Sequence, residues 1–287
     1  MIKYIAITYV FLVSILSVNG QDNSLGTPEK IIYKIVKGDT LTMELYKPNG
    51  FKKRKKYPAL VFFFGGGWVG GSVDQFRPQA EYFASRGMLT VLVDYRVENR
   101  QGTTPFDAVA DAKSAMRFLR SHAKQYHINS DKMVASGGSA GGHLAAATTM
   151  LPGLDEAGED HNISTKAQAL ILYNPVIDNG PGGYGYDRIG DRFTEISPMH
   201  NIYNDVPPTI IFQGTNDKHI PNGTMEKYKA QIEAVGGQCE LHLYNGQPHG
   251  FFNKGKQPGD TYYIETTLAA DEFLQSLNYI KGKATIN

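Results

Sequence analysis

The stretch Gly137-Gly138-Ser139-Ala140-Gly141 has the G-x-S-x-G spacing that can lift one serine hydroxyl clear of the backbone for attack on a carbonyl carbon. An apolar run, Met133 to Ala135, precedes it, and a helix-forming run, His143 to Thr149, follows it. This placement predicts a sharp turn between a strand and a helix, which glycine permits. A tight Gly/Ser-rich loop without chemistry is the alternative, and the strand and helix on either side favour a nucleophile at Ser139.

Asp217 is the predicted acidic partner of this serine. The run Thr209 to Gly214 is typical of a buried parallel strand, and Asp217 follows its carboxyl end, where α/β sheets present their chemistry. Asp178, after the apolar run Ala169 to Tyr173, is an alternative acid, and Asp217 itself could merely cap a turn. We favour Asp217 because the acid of a Ser-Asp-His arrangement stands at a strand end ahead of the histidine.

His249 is the predicted base. It lies in the flexible loop Gly246 to Phe252, which follows a strand pattern from Glu240 to Tyr244. In this arrangement its Nε2 takes the proton of Ser139 and returns it to the leaving alcohol, while Asp217 holds Nδ1–H and stabilises the imidazolium. We interpret the other histidines as surface or packing residues: His122, His127, His143, His161, His200, His219 and His242.

A glycine run supplies the third part of such a site. Attack on a carbonyl builds negative charge on its oxygen, so preorganised N–H donors are needed there. The buried strand pattern Ala59 to Phe64 opens into Gly65-Gly66-Gly67-Trp68, and we predict an oxyanion hole formed by the N–H groups of Gly66, Gly67 and Ala140. A phosphate-binding loop is the competing interpretation, but the run matches neither G-x-x-x-x-G-K-[ST] nor G-x-G-x-x-G with its acidic residue.

These motifs resemble those of the α/β-hydrolase superfamily, and within it the esterases and lipases with an H-G-G-G-W type oxyanion motif, including the acetyl- and feruloyl-esterase-like enzymes of plant-polysaccharide breakdown. The resemblance covers most of the mature chain. It also includes the segments Val93 to Arg96, Asp107 to Arg120, Ile196 to Pro198, Gly214 to Asp217 and Pro248 to Phe251. It implies the α/β-hydrolase fold and the three catalytic residues given above.

One position departs from the family pattern. Phe64 stands where the family usually has the histidine that braces the glycine loop by hydrogen bonds. Other groups must therefore brace the loop in this chain.

Alternating strand and helix patterns follow an N-terminal strand pair, which predicts a mostly parallel sheet of about eight strands with helices on both faces. The strand patterns are Ile31 to Val36, Leu41 to Tyr46, Ala59 to Phe64, Leu89 to Tyr95, Met133 to Ala135, Ala169 to Tyr173, Thr209 to Gly214 and Glu240 to Tyr244. Helices are predicted from Asp107 to Ala123, after Ser139 and from Thr266 to Leu277. We expect residues 21–287 to form a single catalytic domain, because α/β folds often reach this size as one unit.

The composition argues against several partners. The 287 residues carry 29 Lys and Arg against 28 Asp and Glu, which gives no reason to expect nucleic acid or an anionic membrane. We interpret the basic run Lys52 to Lys56 as a solvated loop, with contact to acidic polysaccharide as the alternative. Cys239 is the only cysteine, so we expect a free buried thiol and no internal disulfide.

The N-terminus has the pattern of a secretory signal peptide. Lys3 precedes an apolar run from Tyr4 to Leu16, and Val18 and Gly20 have the spacing that a signal peptidase uses. We predict a signal peptide over residues 1–20, cleavage after Gly20, and a secreted or periplasmic protein without stable membrane association. A permanent anchor is the alternative, but the apolar run is short for a spanning helix.

A segment rich in glycine and tyrosine, Gly180 to Tyr186, follows a strand at the level where this fold inserts substrate loops. We predict that Tyr184 and Tyr186, together with Trp68, line the mouth of the site, because aromatic faces suit sugar or phenolic groups. A surface loop without a binding role is the alternative.

The acidic stretch Asp155, Glu156, Glu159 and Asp160 is a candidate calcium site. Its spacing matches no dedicated calcium motif, and we favour a solvated loop. The sequence contains neither H-E-x-x-H nor a cysteine cluster, so we predict catalysis without a metal or cofactor.

The motifs together predict a serine esterase that works through an acyl-enzyme on Ser139. The resemblance and the predicted export indicate small acyl groups, above all acetyl, on carbohydrate such as xylan, so the expected partner is a small-molecule or polysaccharide ester. Three alternatives stay open: a general carboxylesterase or lipase, a prolyl-oligopeptidase-like peptidase, and a binding protein on a hydrolase scaffold.

Overall fold

The structure, a computed structural model, describes residues 25–221 and 223–286. The predicted signal peptide, residues 1–20, and its cleavage site lie outside the described residues. Within these two ranges, every helix is too short or too polar to cross a membrane.

Eight strands form one sheet: β1 Glu29–Val36, β2 Asp39–Tyr46, β3 Tyr57–Phe63, β4 Leu89–Val93, β5 Ile128–Gly138, β6 Ala169–Tyr173, β7 Thr209–Gly214 and β8 Cys239–Tyr244. They lie in the order β1-β2-β4-β3-β5-β6-β7-β8. Strand β2 is antiparallel to both of its neighbours, whereas strands β3 to β8 are parallel wherever they pair with one another. The predicted mostly parallel sheet is confirmed, and the carboxyl ends of its parallel strands share one edge.

The helices of the described residues are α1 Arg77–Ser85, α2 Glu98–Gln101, α3 Pro105–Ser121, α4 Ala140–Met150, α5 Tyr186–Ile189, α6 Phe193–Ile196, α7 Thr224–Ala234 and α8 Thr261–Ser276. Helices α3, α4 and α7 pack on one face of the sheet, and α1 and α8 pack on the other. Helices α1, α2, α5, α6 and α7 were not predicted from the sequence. Helix α7 buries Met225, Tyr228 and Ile232, a helical spacing that could have identified it from the sequence.

Strand β3 shows how the two layers of core are built. Ala59, Val61 and Phe63 pack in the layer with α3 and α4, whereas Leu60 and Phe62 pack in the layer with α1 and α8. All five side chains are buried. Burial on both faces explains why this strand reads as a continuous apolar run rather than as an alternating one.

The basic run and the cysteine both lie at the edge of the sheet where the parallel strands begin. The basic run Lys52 to Lys56 is exposed and immediately precedes β3. Cys239 begins β8 as a free buried thiol, and burial raises its pKa to about 12. Because strand β3 is about 20 Å long, the basic run is far from anything bound at the carboxyl edge.

A buried ion-pair cluster holds α3 against β1 and the segment after β4. The buried Asp111 carboxylate accepts hydrogen bonds from Lys34 Nζ at 2.7 Å and from Arg96 Nε and Nη2, each at 2.8 Å. Lys34 Nζ also lies 2.6 Å from a Glu156 carboxylate oxygen. The two buried cations are therefore compensated by carboxylates at hydrogen-bonding distance.

The acidic loop folds onto the same helix. Asp155 lies 2.9 Å from Lys113 Nζ and also pairs with Arg117, which pairs with Glu159 as well. Burial raises the pKa of Asp155, but its two basic partners outweigh burial and hold the pKa below its ordinary value. The prediction of a solvated loop is wrong for Asp155 and Glu159, which are tied to α3, whereas Asp160 is exposed. Among the described residues, no group of side chains has the arrangement of a metal site.

Replacing Asp111 with Ala leaves the buried Lys34 and Arg96 without their shared partner. We expect this change to lower the free energy of unfolding by about 3–5 kcal/mol, measured by urea denaturation. Glu29→Ala is the control, because it breaks an exposed pair with Lys47 and should cost less than about 1 kcal/mol. Equal losses in the two variants would contradict a special contribution from the buried cluster.

His143 on α4 couples protonation to unfolding. Its ring is buried, its Nε2 lies 2.8 Å from the Ile196 carbonyl oxygen, and burial lowers its pKa from 6.5 to about 4. The unfolded chain takes up this proton at a higher pH than the folded chain, so stability falls as the pH drops from 6.5 towards about 4. We expect this group to contribute up to about 3 kcal/mol of the loss.

The check is the free energy of unfolding across this pH range for the wild type and for His143→Gln. The variant should lose less stability on acidification than the wild type, since glutamine does not titrate. Parallel curves would show that protonation of this histidine is not coupled to unfolding.

Candidate active site

The serine turn joins β5 to α4 in a strained conformation. Ser139 has φ 55° and ψ −120°, a combination that residues other than glycine rarely adopt. A Cβ on Gly137 would lie 2.3 Å from the Gly141 carbonyl oxygen, and a Cβ on Gly141 would lie 2.0 Å from the Phe63 carbonyl oxygen. The glycines of G-x-S-x-G are therefore a steric requirement of this turn.

His249 and Asp217 meet at the carboxyl edge of the sheet. His249 Nδ1 lies 2.7 Å from Asp217 Oδ2. Asp217 follows β7 with its side chain fully buried, while His249 follows β8 with 21% of its side chain exposed. Ser139 and His249 line the same cavity. The structure thus brings the three predicted residues together.

The groups around Asp217 favour its ionised form. Its Oδ1 accepts the N–H groups of His219 at 2.8 Å and Ile220 at 3.1 Å, and Gln213 Nε2 donates to Oδ2 at 3.2 Å. Burial raises the pKa of this carboxyl, but the hydrogen bond and charge of His249 and the two backbone N–H groups outweigh burial, so the pKa lies below its ordinary value. An ionised Asp217 selects the His249 tautomer with hydrogen on Nδ1 and a lone pair on Nε2.

Asp178, the alternative acid, lies in a different set of contacts. Its Oδ1 accepts the Gly180 N–H at 2.9 Å and lies 3.9 Å from His200 Nδ1. It stabilises the turn after β6 rather than contacting the histidine that pairs with Asp217.

His219, interpreted from the sequence as a surface or packing residue, lines the cavity. Its ring lies edge-on to that of His249, with centroids 4.8 Å apart, and edge-on to that of Tyr184 at 6.2 Å. It therefore forms part of the wall beside the histidine of the pair.

Asn174 belongs to the site, although no sequence motif singled it out. It is buried just after β6 with φ 34°, and its own N–H donates to the Phe212 carbonyl oxygen at 2.7 Å. Its Oδ1 accepts the Gly250 N–H at 2.9 Å, and its Nδ2 lies 3.5 Å from His249 Nε2. A polar residue directly after a buried strand, on the same edge as Asp217, was the available signal.

Two side chains brace the start of the glycine loop. The Phe64 ring stacks on Tyr95 with centroids 4.1 Å apart, and the Tyr95 hydroxyl donates to the Phe64 carbonyl oxygen at 2.7 Å. The Gln75 side-chain oxygen accepts the Gly65 N–H at 2.6 Å. Tyr95 and Gln75 therefore provide hydrogen bonds to a loop that lacks the family's usual histidine.

Of the three aromatic residues predicted at the mouth, the structure places only Tyr184 on the cavity wall. Trp68 is 1% exposed and packs under Arg188, whose Nη1 donates to the Gly67 carbonyl oxygen at 2.8 Å. Tyr186 begins α5, and its hydroxyl donates to a neighbouring aspartate. The prediction is wrong for Trp68 and Tyr186, because one ring is buried behind the loop and the other lies outside the cavity.

The predicted oxyanion donors are unpaired. Within the described part of the chain, the N–H groups of Gly66, Gly67 and Ala140 donate to no protein acceptor. Gly66 and Gly67 line the cavity of about 300 Å³ that Ser139 also lines, and Ala140 begins α4, where helical N–H groups lack internal partners. The oxyanion hole itself stays a prediction, and none of its three donors would have to give up a bond within the described residues to hold an oxygen.

The chain is similar in sequence and fold to known proteins. A family described as BD-FAE matches residues 43–181, and the dienelactone hydrolase family matches residues 166–281. The solved structure of Thermogutta terrifontis esterase 2 with bound propionate has a TM-score of 0.84 and 43% sequence identity, covering 90% of this chain and 97% of that one.

Curated relatives are more distant in sequence. The probable isoprenylcysteine alpha-carbonyl methylesterase ICMEL1 of Arabidopsis thaliana is 26% identical over 235 residues, covering 72% of this chain and 48% of the relative. An acetylxylan esterase of Xylanibacter ruminicola is 26% identical over 213 residues, covering 67% of this chain and 41% of the relative. The chain spans about half the length of the curated relatives it matches.

The similarity to the Thermogutta enzyme extends along nearly all of its chain and includes the fold as well as the sequence. On that ground, this protein belongs to the esterases of the α/β-hydrolase superfamily.

Proposed function

We propose that this protein is an exported serine esterase that removes short acyl groups, preferentially acetyl groups on carbohydrate, through an acyl-enzyme on Ser139. The proposal rests above all on the 2.7 Å contact between His249 and Asp217, in a site that also holds the strained serine turn. A base held by an acid, a raised nucleophile and unpaired N–H donors are the parts that acyl transfer requires.

The first step is attack on the ester. His249 Nε2 accepts the hydroxyl proton as Ser139 Oγ bonds to the carbonyl carbon. The carbonyl oxygen becomes negatively charged, and the N–H groups of Gly66, Gly67 and Ala140 stabilise it. Losing one such donor costs about 2.7–4 kcal/mol of transition-state stabilisation in enzymes of this type.

The second step releases the alcohol. The imidazolium of His249, stabilised by ionised Asp217, returns the proton to the ester oxygen as the bond between that oxygen and the acyl carbon breaks. Water then attacks the acyl carbon on Ser139 and gives one proton to the same Nε2. The bond between Ser139 Oγ and the acyl carbon breaks, the imidazolium returns the proton to Oγ, and the carboxylic acid leaves.

The preference for short acyl groups is supported by the size of the site and by the relatives. The cavity of about 300 Å³ has to hold the acyl group and the adjoining part of the alcohol. The Thermogutta esterase binds propionate, and one relative is an acetylxylan esterase. The signal-peptide pattern of residues 1–20 supports export to where polysaccharide is found.

A general carboxylesterase is the second candidate. The curated relatives that are isoprenylcysteine methylesterases favour it, because their named substrates are methyl esters of lipidated cysteine rather than sugar esters. The two candidates share the same chemistry at Ser139 and differ in the alcohol.

A substrate panel distinguishes these candidates. We expect turnover of p-nitrophenyl acetate and butyrate to exceed that of the octanoate, and acetate to be released from acetylated xylan. Ser139→Ala should lower kcat by a factor of about 10⁴ or more, because the triad acts as one unit. The exposed Ser121, at the end of α3, provides the control variant Ser121→Ala.

Other outcomes point elsewhere. A preference for octanoate would indicate a lipase, and ester turnover without acetate release from xylan would indicate a general carboxylesterase. If no ester turnover depends on Ser139, the proposal is contradicted, and a peptidase or a binding protein remains.

Asn174 is expected to be a positioning residue for His249. In Asn174→Asp, one carboxylate oxygen still accepts the Gly250 N–H. The other oxygen takes the place of Nδ2, which lies 3.5 Å from His249 Nε2, and brings negative charge there. A carboxylate there favours the protonated imidazole, which cannot act as base, so the acid limb of the kcat/KM profile should move to higher pH by about one unit.

Asn174→Ala is the companion variant. It should lower kcat without moving the acid limb, because it removes the loop contact and adds no charge. Identical pH profiles for Asn174→Asp and the wild type would show that the residue serves only the fold.

A further inference from the structure

The catalytic cavity continues into a second groove of about 460 Å³. The two share Gly65 and Gly66 of the glycine loop, so the groove opens beside the proposed oxyanion donors. We call it the polar groove, because its side chains include Ser72, Asp74, Gln75, Asn253, Lys254 and Lys256. Pro78 is the one wholly apolar side chain in this described lining.

The polar groove carries net positive charge. Its carboxylate, Asp74, is neutralised by Arg77 Nη2 at 2.6 Å and accepts the Ser72 hydroxyl at 2.9 Å. Lys254 Nζ lies 5.6 Å from the centroid of the Tyr263 ring. In the ranges that the structure describes, neither Lys254 nor Lys256 pairs with a carboxylate. Two ammonium groups are thus left for a ligand.

The turn that carries the two lysines is fixed to the loop of the proposed base. Asn253 Nδ2 donates to the Gly250 carbonyl oxygen at 2.8 Å, and the Lys256 N–H donates to the Asn253 carbonyl oxygen at 3.3 Å. The Gly255 N–H donates to Asp260 Oδ1 at 2.5 Å. The backbone of both lysines is therefore held at a defined distance from the reacting centre.

We propose that the polar groove binds the alcohol portion of the ester, and that this portion is an acidic saccharide, a chain of hydroxyl groups that carries a carboxylate. Hydroxyl and amide groups match sugar hydroxyls, and the two ammonium groups match the carboxylate. This inference rests on the proposed esterase function, because the groove adjoins the cavity of Ser139.

Acetylated xylo-oligosaccharides with and without a glucuronate branch test the proposal. We expect the wild type to have a kcat/KM about tenfold higher for the branched substrate, since two exposed charge pairs contribute together. The double variant Lys254→Gln/Lys256→Gln should abolish this preference, and salt at about 0.5 M should weaken it in the wild type. Lys52→Gln/Lys53→Gln is the matched control, because it removes two exposed charges at the opposite edge.

Binding to the Ser139→Ala protein, measured by titration calorimetry with the same two oligosaccharides, separates this inference from the esterase proposal. Tighter binding of the branched oligosaccharide that depends on Lys254 and Lys256 supports the groove even where p-nitrophenyl acetate is not turned over. Equal kcat/KM and equal affinity for the two oligosaccharides would overturn the inference, as would a preference that survives loss of both lysines. Turnover of p-nitrophenyl acetate that Ser139→Ala removes would then leave the esterase proposal intact.

Discussion

The end of strand β3 packs directly against the first turn of helix α4, and the geometry of the site depends on this contact. Strands β3 and β5 pair in parallel with Phe63 opposite Gly137. The Phe63 carbonyl oxygen then lies so close to Gly141 that no side chain fits between them. Because the glycine loop continues β3 and the serine turn continues β5, this backbone packing helps set the spacing between Ser139 and the proposed oxyanion donors.

The turn after β6 extends this frame from the nucleophile to the histidine. The Ser139 N–H donates to the Tyr173 carbonyl oxygen at 2.9 Å, and the Val176 N–H donates to the Ser139 carbonyl oxygen at 3.1 Å. Between these two residues, Asn174 accepts the Gly250 N–H from the loop that carries the histidine. One turn therefore holds the serine on one side and the histidine loop on the other.

The sequence predicted the sheet and the grouping of Ser139 with His249, because glycine spacing and chain order express local steric needs and a fixed topology. It missed Asn174, since whether an asparagine after a strand belongs to the site depends on which loop passes over that end of the strand. It placed Trp68 wrongly at the mouth of the site, because an aromatic side chain next to a site can either line the cavity or pack in the protein core. It took Asp155 for a solvated residue, since the basic partners of this carboxylate lie on a helix distant in sequence.

The proposed oxyanion donors are main-chain groups, whereas the nucleophile, the acid and the base are side chains. Mutation therefore affects these two parts of the site differently. A single nucleotide change can replace the side chain of Ser139, Asp217 or His249. A substitution removes a backbone N–H group only when it introduces proline. Loss of Ser139 alone would therefore silence bond cleavage and leave the proposed oxyanion donors in place. A descendant that had lost its nucleophile would keep a ready site for small carboxylates, and from there a route to sensing or carrying the acids its ancestor released.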